Sequence, residues 1–158
     1  MDTYESLLTA AFRFLSFRPR SAKEIDDFLK KKTRKTYVEP EIFKRIADRL
    51  VELGYIDDAK FAAWWVESRQ KTKPKGMRLI KQELKQKGIA TEGITETSED
   101  DIARRAIQKK REIWKSLPTL EQKKKLYDFL ARRGFSYNTI ARVIDGVLGK
   151  GYNTGEDQ

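Results

Sequence analysis

Pro19, Ile25, Leu29, Lys30 and Lys32 recur in the same order and spacing 55 residues later as Pro74, Ile80, Leu84, Lys85 and Lys87. A further shift of 46 carries Ile80, Leu84, Lys87 and Gly88 onto Leu126, Leu130, Arg133 and Gly134. A shift of 98 carries Ile42, Ile46 and Leu50 onto Ile140, Ile144 and Leu148, three short of the combined offset because the first link is longer. Self-similarity at such periods restricts the chain to a tandem array of small units, each too small to bury its apolar face alone. Each unit reads as helix, proline-bearing or polar turn, basic helix, short link, helix. The expected fold is therefore all-α: three tandem three-helix repeats in an elongated, curved array. They cover residues 1–54, 55–97 and 98–149, and a disordered tail without periodicity follows at 150–158.

The local signals agree with that frame. Tyr4, Leu7, Leu8, Ala11, Phe12 and Leu15 have the spacing of an amphipathic helix, closed by Arg18-Pro19-Arg20. Ser21 with Glu24 forms a capping box for a second helix through Ile25, Phe28 and Leu29. A basic link, 30–35, leads to a third helix entered at Glu39-Pro40, with Ile42, Ile46, Leu50 and Leu53 inward.

The central stretch, 53–89, carries the most information. Gly54 has the position of a left-handed helix stop, and Asp57 offers an N-cap oxygen to a helix over 58–71. Phe61, Trp64, Trp65 and Ser68 form its buried stripe. The Trp64-Trp65 pair reads as packing within or between repeats, the alternative being a base-stacking platform. Pro74 breaks the helix, and a second begins at Lys75 or Gly76. Met77, Ile80 and Leu84 face inward there, Arg78, Lys81 and Lys85 face outward, and Gly88 stops it. The third helix of this middle repeat is expected to be a stub or missing, because 90–98 is short, β-branched and interrupted by Gly93. The last repeat is expected to use 99–117, 119–133 and 136 or 137–148, with a capping box of Thr119 and Gln122.

Charge narrows the function. The net charge is +10, with 13 cations against 12 acids in residues 1–68, 8 against 3 in 69–97, and 13 against 9 in 98–158. Such a distribution calls for an anionic partner, nucleic acid or an acidic protein surface, the alternative being a basic face kept for solubility. The chain has no histidine and no cysteine, which removes Ser-His, Cys-His and zinc-hydrolase chemistry and favours a reducing cytoplasm. Asp57-Asp58 reads as an N-terminal cap and not a catalytic carboxylate pair, and Glu99-Asp100-Asp101 reads the same way. No apolar run reaches 18 residues, the N-terminus lacks the apolar region of a signal peptide, and no long heptad seam suggests a dimer. The expectation is a cytoplasmic monomer without catalytic residues, metal or cofactor. Arg69, Lys71, Lys73, Lys75, Arg78, Lys81 and Lys85 form the expected central contact strip, extended by Arg104, Arg105, Lys109, Arg132 and Arg133. This charge also predicts weak, nonspecific binding to single- and double-stranded DNA.

Gly54-Tyr55-Ile56-Asp57-Asp58, Phe61, Trp65, Ser68-Arg69, Lys73-Pro74-Lys75-Gly76, Ile80, Gln82-Glu83-Leu84 and Gln86-Lys87-Gly88-Ile89 resemble the central signature of the RecX family, bacterial regulators of the RecA recombinase. Lys125-Leu126-Tyr127, Phe129-Leu130, Arg132-Arg133-Gly134-Phe135-Ser136-Tyr137 and Ile140 are similar to that family's closing unit. The likeness covers roughly residues 6–148 and departs at 90–98, where relatives have a fuller helix. It implies three three-helix repeats, no catalytic residues, and a protein lodged in the groove of the RecA filament on DNA. There it would block extension or promote disassembly and suppress ATP hydrolysis, strand exchange and co-protease activity. The competing reading is a direct DNA binder or transcriptional regulator built of helix-turn-helix-like modules. Its third helices are mixed in charge over 41–49 and carry only Arg142 as a cation over 138–148.

Overall fold

The protein's structure, a computed structural model, describes residues 2–94 and 99–149. Among these are eight helices and no strand: α1 (Thr3–Phe17), α2 (Ala22–Lys32), α3 (Pro40–Glu52), α4 (Asp58–Thr72), α5 (Met77–Gln86), α6 (Asp100–Ile113), α7 (Thr119–Arg132) and α8 (Tyr137–Leu148). The all-α repeat expected from the sequence is the fold observed. The described residues form two compact units, one within Met1–Trp65 and Leu84–Thr91 and the other within Val66–Glu83 and Glu92–Gln158. Helices α1–α3 fall in the first and α6–α8 in the second, while α4 and α5 each contribute to both.

In the first unit Leu7, Ala11, Ile25, Leu29, Ile46, Leu50 and Ile56 form one buried cluster. Phe14 stacks on Phe28 at its edge, with ring centroids 4.1 Å apart. In the second unit Ala103 and Ile107 of α6, Leu126, Phe129 and Leu130 of α7, and Ile140, Val143 and Ile144 of α8 do the same. Among the residues aligned by the internal offsets, Ile25 and Leu29, Ile80 and Leu84, and Leu126 and Leu130 are all at most 1% exposed, whereas Ile42 and Leu148 are half-buried and Leu53, expected inward, is exposed past the end of α3.

Helix ends and core are set by one motif used three times. Gly54, Gly88 and Gly134 have φ of +80°, +77° and +86°, the left-handed conformation that a Cβ disfavours. After each, the N–H of Tyr55, Ile89 or Phe135 returns to the carbonyl of Leu50, Leu84 or Leu130, at 2.8, 3.0 and 3.2 Å. All three leucines are fully buried, so the stop signal lies a fixed distance from a core anchor.

N-termini follow the capping rules where a hydroxyl or carboxylate is placed for it. Ser21 and Glu24 form the expected capping box of α2, Ser136 caps α8, and Asp57 accepts the Lys60 N–H at 3.1 Å. Thr119 does not form the expected box. Pro118, pre-set for the turn, occupies the cap position of α7, and Gln122 Nε2 instead donates to the Leu117 and Lys115 carbonyls at 2.8 and 3.3 Å. Helix α6 stops at Ile113, short of the expected Leu117, where a turn returns the Leu117 N–H to the Trp114 carbonyl. On α4 the buried positions are Phe61, Ala62, Trp65 and Gln70, with Trp64 and Ser68 only half-buried. The described residues between Gln86 and Asp100 hold no helix, and residues 95–98 and the tail expected at 150–158 lie outside the described residues.

Candidate partner-binding surface

The turn between α4 and α5 fixes the cations around it. Pro74 ends the backbone ladder, and the buried Gln70 replaces it: its Nε2 donates to the Lys75 carbonyl at 3.0 Å and its Oε1 accepts the Lys75 N–H at 3.2 Å. Glu99 Oε1 accepts the Met77 N–H at 2.6 Å, supplying the anion that the first turn of α5 favours. Gly76 donates its N–H to the Arg133 carbonyl at 2.7 Å, and an added Cβ there would stand 2.1 Å from the Gly134 carbonyl oxygen. Arg133 closes the contact, with Nη1 donating to the Pro74 carbonyl at 3.2 Å and its guanidinium 4.8 Å from the Phe129 ring centre.

On α5 the apolar seam of Met77, Ile80 and Leu84 is buried, while Arg78 and Lys85 are exposed and Lys81 half-buried. That outward face is the arrangement the spacing predicts. Four of the other candidate cations hold neighbouring acids. Glu83 takes Lys75 Nζ at 2.5 Å and Arg69 Nε at 3.3 Å, Lys71 pairs with Glu67 at 2.9 Å, and Arg104 pairs with Asp101 at 2.8 Å. Lys73, Arg78, Lys85, Arg105, Lys109 and Arg132 are exposed and form no ion pair among the described residues. Lys75 and Arg133 are thus built into the turn, and the exposed cations of α5 carry the open positive surface. Sequence reading missed Glu83 and Glu99 as anchors. The available signal was Glu83's isolation, as the one acid within an otherwise cationic helix.

In the first unit Glu24 is a second anchor. It accepts from Arg18 Nη2 at 2.5 Å, lies 3.3 Å from Lys87 Nζ and 4.0 Å from Arg20 Nη1, and completes the α2 cap. Burial pushes its carboxyl up, but hydrogen bonds from Arg18 and the Ser21 N–H, with the Arg18 and Lys87 charges, outweigh that and hold it below the usual carboxylate range. Arg18 and Lys87 also approach the buried Trp65 ring, 5.8 and 5.4 Å from its centre. The Trp65 half of the tryptophan pair is therefore packing. Asp58 Oδ1 accepts the Ala22 N–H at 3.1 Å, so both members of the Asp57-Asp58 pair serve backbone donors.

The third helices have little free positive charge. On α3 Lys44 pairs with Asp48 at 3.6 Å, Arg49 with Glu52 at 3.3 Å, and Arg45 lies 4.4 Å from the Tyr4 ring centre. On α8 Arg142 binds both oxygens of Asp100 at 3.1 Å. Those hydrogen bonds hold the Asp100 carboxyl below its ordinary range and raise Arg142 further. No helix among the described residues is long and apolar enough to cross a membrane.

Residues 57–97 match the family model described as RecX, second three-helix domain, and residues 98–144 match RecX, third three-helix domain. The regulatory protein RecX of Chlorobium phaeobacteroides (strain BS1) is 37% identical over 144 residues, which span 87% of this chain and 91% of that relative. The chain belongs to the RecX family. Regulatory protein RecX of Bacillus subtilis (strain 168) is 34% identical over 92% of this chain, but the chain spans only 56% of that longer relative. The crystal structure of RecX from Lactobacillus salivarius shares the fold, with a TM-score of 0.75 at 24% identity over 90% of this chain and 95% of the other. A second crystal structure, of a regulatory protein RecX, gives a TM-score of 0.72 at 24% identity. The signature glycines of the RecX family resemblance, Gly54, Gly88 and Gly134, are thus the helix stops described above.

Proposed function

We propose that this chain is a non-catalytic inhibitor of RecA that seats in the groove of the RecA–DNA filament in the cytoplasm. In doing so it suppresses the filament's ATPase, strand-exchange and co-protease activities. It does so as a monomer of three repeats, over 1–54, 55–97 and 98–149, and binds single- and double-stranded DNA only weakly and without sequence preference. The observation that supports this reading, beyond membership of the family, is α5. Its apolar seam is buried while Arg78 and Lys85 remain exposed and without an ion pair among the described residues. Cations of this kind meet acidic side chains or phosphates on a polymer and speed encounter, an effect that weakens with salt. The helix-turn-helix alternative has less support, because the cations of α3 and the one cation of α8 are engaged within the protein. The test is charge reversal on α5. With Lys81→Glu and Lys85→Glu combined, inhibition of RecA strand exchange falls at least about tenfold in potency while the helical circular dichroism spectrum is kept. Undiminished inhibition removes α5 from the contact.

A further inference from the structure

The first unit has a second feature, independent of α5. Where α1 ends and the α3–α4 turn begins lies a groove of about 520 Å³. Its apolar lining includes Leu15 and the buried Phe61, and Tyr55 and Trp64 also line it. Tyr55 is 54% exposed and rests edge-on against Phe12, with centroids 5.1 Å apart. Trp64 is half-buried, and the Arg18 guanidinium lies 5.7 Å from its ring centre. Exposed rings of this size at a groove are anchor sites for an inserted apolar side chain.

The charge around the groove is one-sided. Arg18, Arg20 and Lys60 line it against the single carboxylate of Asp57, which already accepts the Lys60 N–H. The neighbouring Glu24 carboxylate is shared among Arg18, Arg20 and Lys87, so it does not neutralise them one for one. From this complementarity we infer that the groove is a docking site for an acidic peptide segment: one apolar side chain enters beside Tyr55 and Trp64, and flanking carboxylates meet Lys60 and Arg18, Arg20 being held on the Phe14 ring and carbonyl. A nucleobase fits less well. A base needs an open ring face to stack on, whereas Trp64 is half-buried and the Arg18 guanidinium already lies over its ring.

The experiment uses the full chain and a fluorescein-labelled octapeptide of Asp and Glu with one central Phe, followed by anisotropy. Three controls accompany it: the same peptide with Ser for Phe, one with Lys for every acid, and an oligothymidylate of equal charge. The inference predicts that only the acidic Phe peptide binds through this groove. Lys60→Glu and Trp64→Ala should each weaken it at least about tenfold, and Lys60→Glu, at an exposed residue, should leave the melting temperature unchanged. Equal binding of the Ser peptide, oligothymidylate binding lost in the same two variants, or no binding of the Phe peptide would each overturn it.

Discussion

Gly76 and Gly54 separate two reasons for a glycine. Gly54 needs a positive φ but has open space around its missing Cβ, whereas Gly76 has no room, with the Gly134 carbonyl where the Cβ would go. Gly54→Ala is expected to cost about 1 kcal/mol from the left-handed backbone alone. Gly76→Ala should cost more, about 3 kcal/mol, because backbone must shift. Thermal melts of the two variants check the order, and equal losses would show that the turn does not press on the end of α7. Glu24 gives a pH prediction. Its folded carboxyl lies below the usual range, so its contribution is fully present above the ordinary carboxylate value and is lost as pH falls through the folded value. After allowance for solvent, Glu24→Gln should destabilise by about 1–2 kcal/mol at pH 7. That deficit should shrink as denaturant melts are repeated toward pH 3; a constant deficit would mean that the charge is not what matters.

Helices were legible because their signals are local. The apolar spacing, proline breaks and glycine stops fixed α1–α5, α7 and α8 to within a residue or two, and the first two offsets picked out the isoleucine and leucine pairs of α2, α5 and α7 that are buried in every copy. Partners distant in sequence were not legible. Glu99 caps α5 from 22 residues away and Lys87 reaches Glu24 from 63 away, and no periodicity encodes either contact. The same limit explains the candidate surface, where twelve cations look alike in sequence but Lys75 and Arg133 are built into the turn while Arg78 and Lys85 are open. Lys75→Glu should therefore lower stability by about 1–3 kcal/mol, since it sets two carboxylates together and leaves Glu83 half-buried without its closest partner. Arg78→Glu should leave the melting temperature within about 2 °C and weaken only the proposed inhibition of RecA. If the two variants melt alike, the division between structural and open cations fails.

For the whole molecule, small helical units held by repeated glycine stops and carboxylate anchors form a scaffold, and the function proposed for it rests on surface and charge. Trp65→Ala, which removes a buried ring near Arg18 and Lys87, is expected to cost about 3–5 kcal/mol and to abolish function through the fold, visible as a lower melting temperature. The claim on which the account depends is that the intact scaffold acts on a RecA polymer. Its most direct measurement is the rate of ATP hydrolysis by RecA on single-stranded DNA as this protein is titrated from well below one copy per RecA monomer. The account predicts a steep fall in rate at substoichiometric amounts, weakened by added salt. An unchanged rate across the titration, together with selective binding of one duplex sequence at physiological ionic strength, would contradict it.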